Sequence, residues 1–349
     1  MSYKFNQMNS KLYKFTRLLE NVPLDWFIRF TGKRDILPFY HAVSDEDVIH
    51  IKHLYNVRSS KAFEKDLDFF LKHYTPVNYK SFKNRFDNSY SKKENTFLLT
   101  FDDGLREFHD IIAPILVRKG IPAICFLNSG FIDNKNLFYR YKTSILIEKL
   151  MERNTSTAQQ KEINDWFLNK NLSLIDNYKS LCTINYANRH YIDELAGILD
   201  VDFNEYLQTV KPYMDSIQIQ SLIKQGFEFG AHSIDHPQFS ELKTYQKIAQ
   251  FEESVNEIIK TFDLDYRIFS FPFTDFGVSM DFFNTVFDKN ATKAELSFGC
   301  AGLKKDSCSR NIQRIAIEKD NLTAQDIIYY EYIYSILKSA INKNTIKRN

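Results

Sequence analysis

The strongest constraint on the fold is an alternation of short, wholly apolar runs with longer amphipathic ones. Thr96–Phe101 reads TFLLTF and is apolar on both faces, and Ile36–Val43, Ile121–Leu127, Phe227–Ala231, Ile268–Phe273, Glu295–Gly299 and Ile312–Ile317 are of similar kind. A strand with no polar face must be covered on both sides, as happens in parallel sheets with helical crossovers. The intervening segments supply those helices. Ser60–Tyr74 places Phe63, Leu67, Phe70 and Leu71 on one helical face with Ser60 as its expected N-cap. Leu105–Lys119 stops at Gly120, and Gln218–Gln225, Leu242–Phe262, Met280–Lys289 and Ala324–Ile341 follow. So many strand–helix units in sequence favour a closed or nearly closed α/β barrel, which gathers its functional loops at the C-terminal ends of the strands. No GxGxxG supports an open dinucleotide-binding sheet.

Residues 134–215 break the pattern. They are polar, helix-prone and poor in strand runs, so they read as a helical insertion rising from one strand–helix loop. The expected organisation is therefore a basic N-terminal helical arm over residues 1–34, a barrel over 35–321 interrupted by that insertion, and a C-terminal helix over 322–349. Residues 1–34 hold seven basic and two acidic side chains, while the whole chain carries only +2. The near-neutral total argues against nucleic-acid binding driven by phosphate neutralisation. The arm interleaves its bases with Leu12, Phe15, Leu18, Leu19, Trp26, Phe27 and Phe30. Such a helix packs on the main domain or lies on an anionic membrane surface. No apolar run is long enough for a transmembrane helix, and the N-terminus lacks a signal-peptide core. Four scattered cysteines show no disulfide or zinc-knuckle spacing, and the expected location is the cytoplasm, peripheral to the membrane.

Two motifs stand at strand ends. Thr100-Phe101-Asp102-Asp103-Gly104 closes the strongest strand with adjacent carboxylates before a glycine turn. Gly230-Ala231-His232-Ser233-Ile234-Asp235-His236 closes another, and its His-xxx-His spacing puts both imidazoles on one side of a helical turn. Alone, the first is an ordinary Asp-Gly turn and the second a pair of surface histidines. Both at the C-terminal face of one barrel, they supply two imidazoles, a carboxylate ligand and a carboxylate left over. A catalytic metal with an open water position uses this inventory, the spare carboxylate serving as general base. Gly104 and Gly230 flank the two motifs, where a backbone must turn or be approached closely.

TFDDG with HSIDH resembles the polysaccharide deacetylase family with the NodB homology domain (carbohydrate esterase family 4). The resemblance implies a distorted (β/α) barrel that removes acetyl groups from N-acetylated sugars, here a cell-envelope glycan or its precursor. It implies Asp102 as general base and Asp103, His232 and His236 as ligands of a divalent metal, Zn²⁺ first, with Co²⁺, Ni²⁺ or Fe²⁺ as alternatives. Phe39-Tyr40-His41 also resembles a segment near the start of many members. The third motif departs: Ser270-Phe271-Pro272-Phe273-Thr274 stands where an Arg-Pro-Pro-Tyr-Gly is common, so the arginine that orients the base is missing. The backbone N–H near Phe273 remains a candidate oxyanion donor. The Asp-Trp motif is not found, since the only tryptophans are Trp26 and Trp166, and the last strand reads Arg314-Ile315-Ala316-Ile317-Glu318 without a Leu-x-His. The general acid is thus unassigned. Arg314, Glu318 and His41 stand near strand ends, but a strand-end arginine, a surface glutamate and a core histidine each have a structural explanation. In the insertion, Phe138-Tyr139-Arg140-Tyr141 offers aromatic faces and a guanidinium that can grip a sugar or phosphate. Tyr139, Arg140 and Arg314 join Phe273 as candidate substrate residues. Two other readings are a C–N hydrolase acting on a non-sugar amide and a catalytically silent metal- or glycan-binding protein.

Overall fold

The computed structural model describes residues 22–88, 94–152, 156–288, 293–319 and 322–348. Most of the expected N-terminal arm, residues 1–21, lies outside them. Eight parallel strands form the main sheet: β1 (Pro38–Tyr40), β2 (Leu99–Phe101), β3 (Ala123–Leu127), β4 (Glu228–Ala231), β5 (Ile268–Ser270), β6 (Leu296–Gly299), β7 (Asn311–Gln313) and β8 (Ile315–Ala316). Neighbours in space run β7-β6-β5-β4-β3-β2-β1-β8. The two ends of that order, β7 and β8, are consecutive in the chain. One segment therefore closes the barrel, pairing with β6 through Asn311–Gln313 and with β1 through Ile315–Ala316. Arg314 is the residue between the halves.

Helices cover the outside. Among them are α1 (Leu24–Thr31), α2 (Ser60–His73), α3 (Ala113–Lys119), α4 (Tyr139–Met151), α5 (Ser216–Lys224), α6 (Thr244–Phe262), α7 (Met280–Val286) and α8 (Ala324–Ala340), with α4 and several others in the insertion. Helix α6 shows the sequence logic: Phe251, Val255, Ile258 and Phe262 recur every three or four residues, and all are buried. The N-cap of α2 is Ser59, not Ser60; its hydroxyl accepts the Ala62 N–H at 3.2 Å. The helix expected over Leu105–Lys119 begins instead with a π-turn over Phe108–Ile112. Pro114 follows it and has no N–H to give four residues back. The expected first strand also divides, because Asp35–Ile36 leaves the barrel to join Thr96–Phe97 and Thr75–Pro76 in a small parallel sheet.

The insertion folds around its own core. Helices α4, Thr157–Asn169, Asn177–Leu181, His190–Ile198 and Phe203–Thr209 bury Leu146, Phe167, Leu181, Ile192 and Leu195, together with Ala42, Val48 and Ile51 from the loop after β1. The barrel core is a separate cluster beneath it.

At the C-terminus, Thr345–Ile346 pairs with Lys305–Asp306 and delivers Arg348 into an acidic socket. Its guanidinium bonds the carboxylates of Asp275 and Asp306 and lies 4.9 Å from the Phe283 ring. Asn311 and Gln313 each donate to Asp275 Oδ2 at 2.7 Å. Both carboxylates are buried, so removing the cation leaves them uncompensated. Arg348→Ala should therefore lower unfolding free energy by about 3–5 kcal/mol in a urea titration, and Arg348→Lys should cost less.

Candidate functional site

The C-terminal ends of β1, β2, β4, β5 and β6 converge with the closing segment on one cavity of about 370 Å³. Asp102 and Asp103 leave β2, His232 leaves β4, and Phe271 and Phe273 leave β5. Glycine is required beside both motifs. Gly104 has φ +67°, and a Cβ on Gly230 would stand 2.7 Å from the Phe126 and Ile268 side chains. Four non-glycine residues here also adopt positive φ: Asp103 (73°), Ser233 (69°), His236 (61°) and Phe273 (57°). Such conformations each cost of order 1–3 kcal/mol and persist where the surroundings over-determine them. His232 and His236 consequently lie on a bent loop rather than on the expected helical turn, with ring centroids 4.9 Å apart.

Asp103, His232 and His236 meet as expected of ligands. Asp103 Oδ1 lies 3.2 Å from His236 Nε2 and 3.6 Å from His232 Nε2. It is buried and has no hydrogen-bond partner. A buried anionic oxygen left in that condition, facing two imidazole nitrogens, fits a cation of the Zn²⁺ type. The remaining donor atoms are oriented from behind. His232 Nδ1–H donates to the Ser270 carbonyl at 2.8 Å, leaving Nε2 as the lone-pair end. Burial, with His236 close by, pushes His232 down to about 4, so its imidazole is neutral, as a ligand must be. The Tyr141 hydroxyl donates to Asp103 Oδ2 at 2.6 Å. Phe138 and Phe273 both pack against the His236 ring, with centroids at 4.3 and 4.4 Å.

Asp102 stands beside this set, its Oδ2 4.0 Å from His232 Nε2, and is held from its other side. Arg314 grips it with two parallel bonds, Nη1 to Oδ1 at 2.8 Å and Nη2 to Oδ2 at 2.7 Å. The same guanidinium donates to Thr100 Oγ1 and Ser270 Oγ at 3.0 and 2.6 Å. Burial alone would raise the Asp102 carboxyl, but Arg314, His232 and His41 outweigh it and hold it below the ordinary carboxylate value. The arginine missing from the third motif is thus supplied by the closing strand. Arg314 is 1% exposed, stands in the lining of the cavity and is paired with Asp102 through both terminal nitrogens.

Across the cavity stands a second dyad. His41 Nδ1 is 2.6 Å from Glu318 Oε2, and the same carboxylate accepts the backbone N–H groups of His41 and Ala42 at 2.9 and 3.0 Å. Glu318 is not a surface residue: its side chain is 5% exposed. Burial disfavours the imidazolium, yet Glu318, aided by Asp103 and Asp102, pushes His41 up to about 9. The rings of Tyr55 and Phe39 flank it at 5.1 and 5.6 Å.

Arg140 lines the insertion side of the cavity and bonds the Cys182 carbonyl. Tyr139 packs against Phe138 and Tyr186 at 5.0 and 6.3 Å rather than on the cavity wall. Tyr141, two residues on, is the insertion residue that reaches the acidic cluster. Its sequence signal was the position within Phe138–Tyr141; the register along α4 decided between the two tyrosines.

Comparison with known proteins agrees with this geometry. The polysaccharide deacetylase family model matches residues 89–165 and 172–290, more than half of the 349-residue chain, so the chain belongs to that family. No curated protein matches the sequence. Among solved structures, the chain is similar to the deacetylase PplD of Streptococcus pyogenes (12% identity, TM-score 0.53, 85% of this chain and 97% of that one). It is also similar to IcaB of Ammonifex degensii (13%, 0.53, 86% and 98%) and a de-N-acetylase of Aggregatibacter actinomycetemcomitans (14%, 0.51, 84% and 99%). At these identities the likeness shows the shared NodB-type barrel.

Because Tyr141 fixes one oxygen of Asp103, Tyr141→Phe should weaken divalent-metal affinity about 10- to 100-fold, read by competition with a chromophoric chelator. Unchanged affinity would remove Tyr141 from the site's support.

Proposed function

We propose that the protein is a divalent-metal-dependent hydrolase that removes the acetyl group from an N-acetylated sugar of a cell-envelope glycan or its precursor. Family membership supports deacetylation of polysaccharide. The observation that carries the finer reading is the division of labour around one cavity: a donor triad, an arginine-gripped carboxylate and a histidine–glutamate pair.

Asp103, His232 and His236 hold the cation in this reading. A divalent cation bound there supplies Lewis acidity, lowering the pKa of a water toward neutrality and polarising the acetamide carbonyl. Asp102, kept ionised by Arg314, takes the proton from the attacking water. The Phe273 backbone amide, on the strained loop beside His236, is the candidate donor to the developing oxyanion. His41 completes the reaction. Its Nδ1 is committed to Glu318, so Nε2–H is the end that delivers a proton to the sugar nitrogen as the C–N bond breaks. Acetate and the free amine result. The cavity is walled by Phe39, Tyr55, Phe138, Phe271 and Phe273, and its volume suits about one sugar unit.

Purified protein loaded with Zn²⁺ or Co²⁺ should release acetate from N-acetylhexosamine substrates. Asp102→Asn should abolish turnover while the metal stays bound; an active Asp102→Asn enzyme would sink the base assignment. Failure on every N-acetylated sugar, with release from other amides, would transfer the chemistry to a non-sugar substrate.

The acid has its own signature. His41→Gln should lower kcat about 10²- to 10⁴-fold with metal content unchanged. The acid must be protonated, so kcat should hold below its pKa and fall on an alkaline limb, which the Glu318 carboxylate displaces upward from the ordinary imidazole range. Glu318→Gln removes the neighbouring anion and should move that limb to lower pH. A limb unaffected by Glu318→Gln would assign the proton donor elsewhere.

A further inference from the structure

The barrel closes along only part of its seam. Ile315–Ala316 pairs with β1 at Pro38–Phe39, and the Ile315 N–H donates to the Leu37 carbonyl at 2.8 Å. Ahead of that point the two sides part. Asp35–Ile36 turns to Thr96–Phe97 in the small sheet, while β7 pairs with β6. A cavity of about 490 Å³ lies at this divergence, bordered by Asp35 and Leu37 and by Asn311, Ile312 and Gln313. It shares no lining residue with the cavity that holds Asp103, His232 and His236.

Four cations line this second cavity. Gly32, with φ 67°, ends α1 in the left-handed conformation and turns the chain so that Lys33 and Arg34 face it. Lys304 and Lys305 reach it from the connection between β6 and β7. The two carboxylates in the lining are already bonded. Asp35 Oδ1 accepts from Arg85 and from Thr96 Oγ1, at 2.9 and 2.7 Å. Asp306 accepts from Arg348, from Asn311 at 3.0 Å and from Gln313 at 2.9 Å. Arg85 and Arg348 neutralise those two groups, so the four lining cations set the charge of the cavity.

Lys33 shows the result. Its ammonium donates to the Leu303 carbonyl, yet burial and then the charge of Lys305 lower it to about 8, against the pull of Glu331. Glu331 is itself engaged: it accepts the Leu303 N–H at 3.2 Å and stands 3.6 Å from Lys319. Lys304 has the Tyr334 ring at 5.9 Å, and neither it nor Lys305 meets a carboxylate among the described residues. A concavity lined by one sign of charge concentrates the opposite ion. A carboxylate would bring a single charge, whereas a phosphate group brings nearly two and three strong acceptor oxygens. Several ammoniums acting as point charges suit that group. Phe82 and Phe86, one helical turn apart, wall the same cavity.

We propose that this gap in the barrel seam is a second binding site, which takes the phosphate group of its ligand on Lys33, Arg34, Lys304 and Lys305. The proposal does not depend on the deacetylase reading, and its test uses no acetylated substrate.

The metal-loaded full chain should be titrated by calorimetry at low salt with inorganic phosphate, glucose 6-phosphate and glucose. Saturable binding of both phosphates, weakened by added salt, and none of glucose are expected. Tighter binding of glucose 6-phosphate would identify a phosphorylated sugar as the ligand, held also by the phenyl wall; equal affinity would identify free phosphate. Lys304→Ala with Lys305→Ala should weaken phosphate binding at least about tenfold. Lys304 is half-buried and Lys305 exposed, so the double variant should keep the wild-type melting temperature and metal content. Lys305→Glu, a charge reversal at the exposed position alone, should weaken binding as well. Phosphate binding unchanged in both variants would place the anion elsewhere, at the metal or Arg140, and overturn the proposal. So would the absence of binding by either phosphate.

Discussion

The bidentate Arg314–Asp102 pair is the interaction on which both barrel and site depend. Arg314 occupies the break between β7 and β8, where one segment must turn from pairing with β6 to pairing with β1. Its backbone N–H donates to the Gly299 carbonyl at 3.1 Å, while its side chain crosses the barrel interior to Asp102, Thr100 and Ser270. A charge in that position is tolerable only if fully paired, because desolvating an isolated guanidinium or carboxylate costs several kcal/mol. Closing the barrel and holding the carboxylate ionised are thus one event.

This pairing also explains how two adjacent carboxylates share a buried site. Left alone, like charges so close would force one to take up a proton. Here only Asp102 has a fixed cation, the Arg314 guanidinium, while Asp103 faces a different set of groups. Asp102 is turned to the guanidinium, while Asp103, with φ 73°, is turned to His232, His236 and Tyr141. The strained backbone at Asp103 is what separates the two side chains, and Gly104 behind it accommodates the turn. The doublet can therefore serve two different tasks, one carboxylate facing both imidazoles and one gripped by Arg314.

What was legible in the sequence follows the range of the interactions involved. The strand–helix alternation and the two motifs are local, and their positions at strand ends made the barrel and the acidic–histidine cluster readable. Arg314 meets Asp102 across 212 residues and His41 meets Glu318 across 277, so neither pair leaves a local pattern. Both lie where the barrel closes on itself, bringing the first and last strands together. An arginine within an apolar strand, followed four residues later by a glutamate, looked like ordinary edge decoration. Only closure shows that both side chains point inward. The choice of Tyr141 over Tyr139 was similarly hidden, since it depends on how α4 is rotated against the barrel.

The rotation of α4 has a further consequence for access to the cavity. A long addition at the active face can be a lid that swings or a wall that stays. Swinging α4 away would break the Tyr141–Asp103 bond, the Phe138 contact with His236 and the bond from the Phe138 N–H to the Tyr213 hydroxyl. Outside α4, the Tyr186–Asp235 bond at 2.6 Å also ties the insertion to the HSIDH loop itself. A buried bond to a charged group, such as Tyr141–Asp103, costs more to break than an ordinary one, and the other three contacts add to it. The half-exposed His53–Glu148 pair, by contrast, joins α4 to the loop after β1 and lies nearer solvent. The insertion is therefore a wall in its contacts with the Asp102–Gly104 and His232–His236 motifs. Access is thus governed by the shape of a cavity already built, with Tyr178, Lys179, Cys182 and Thr183 of the insertion in its lining.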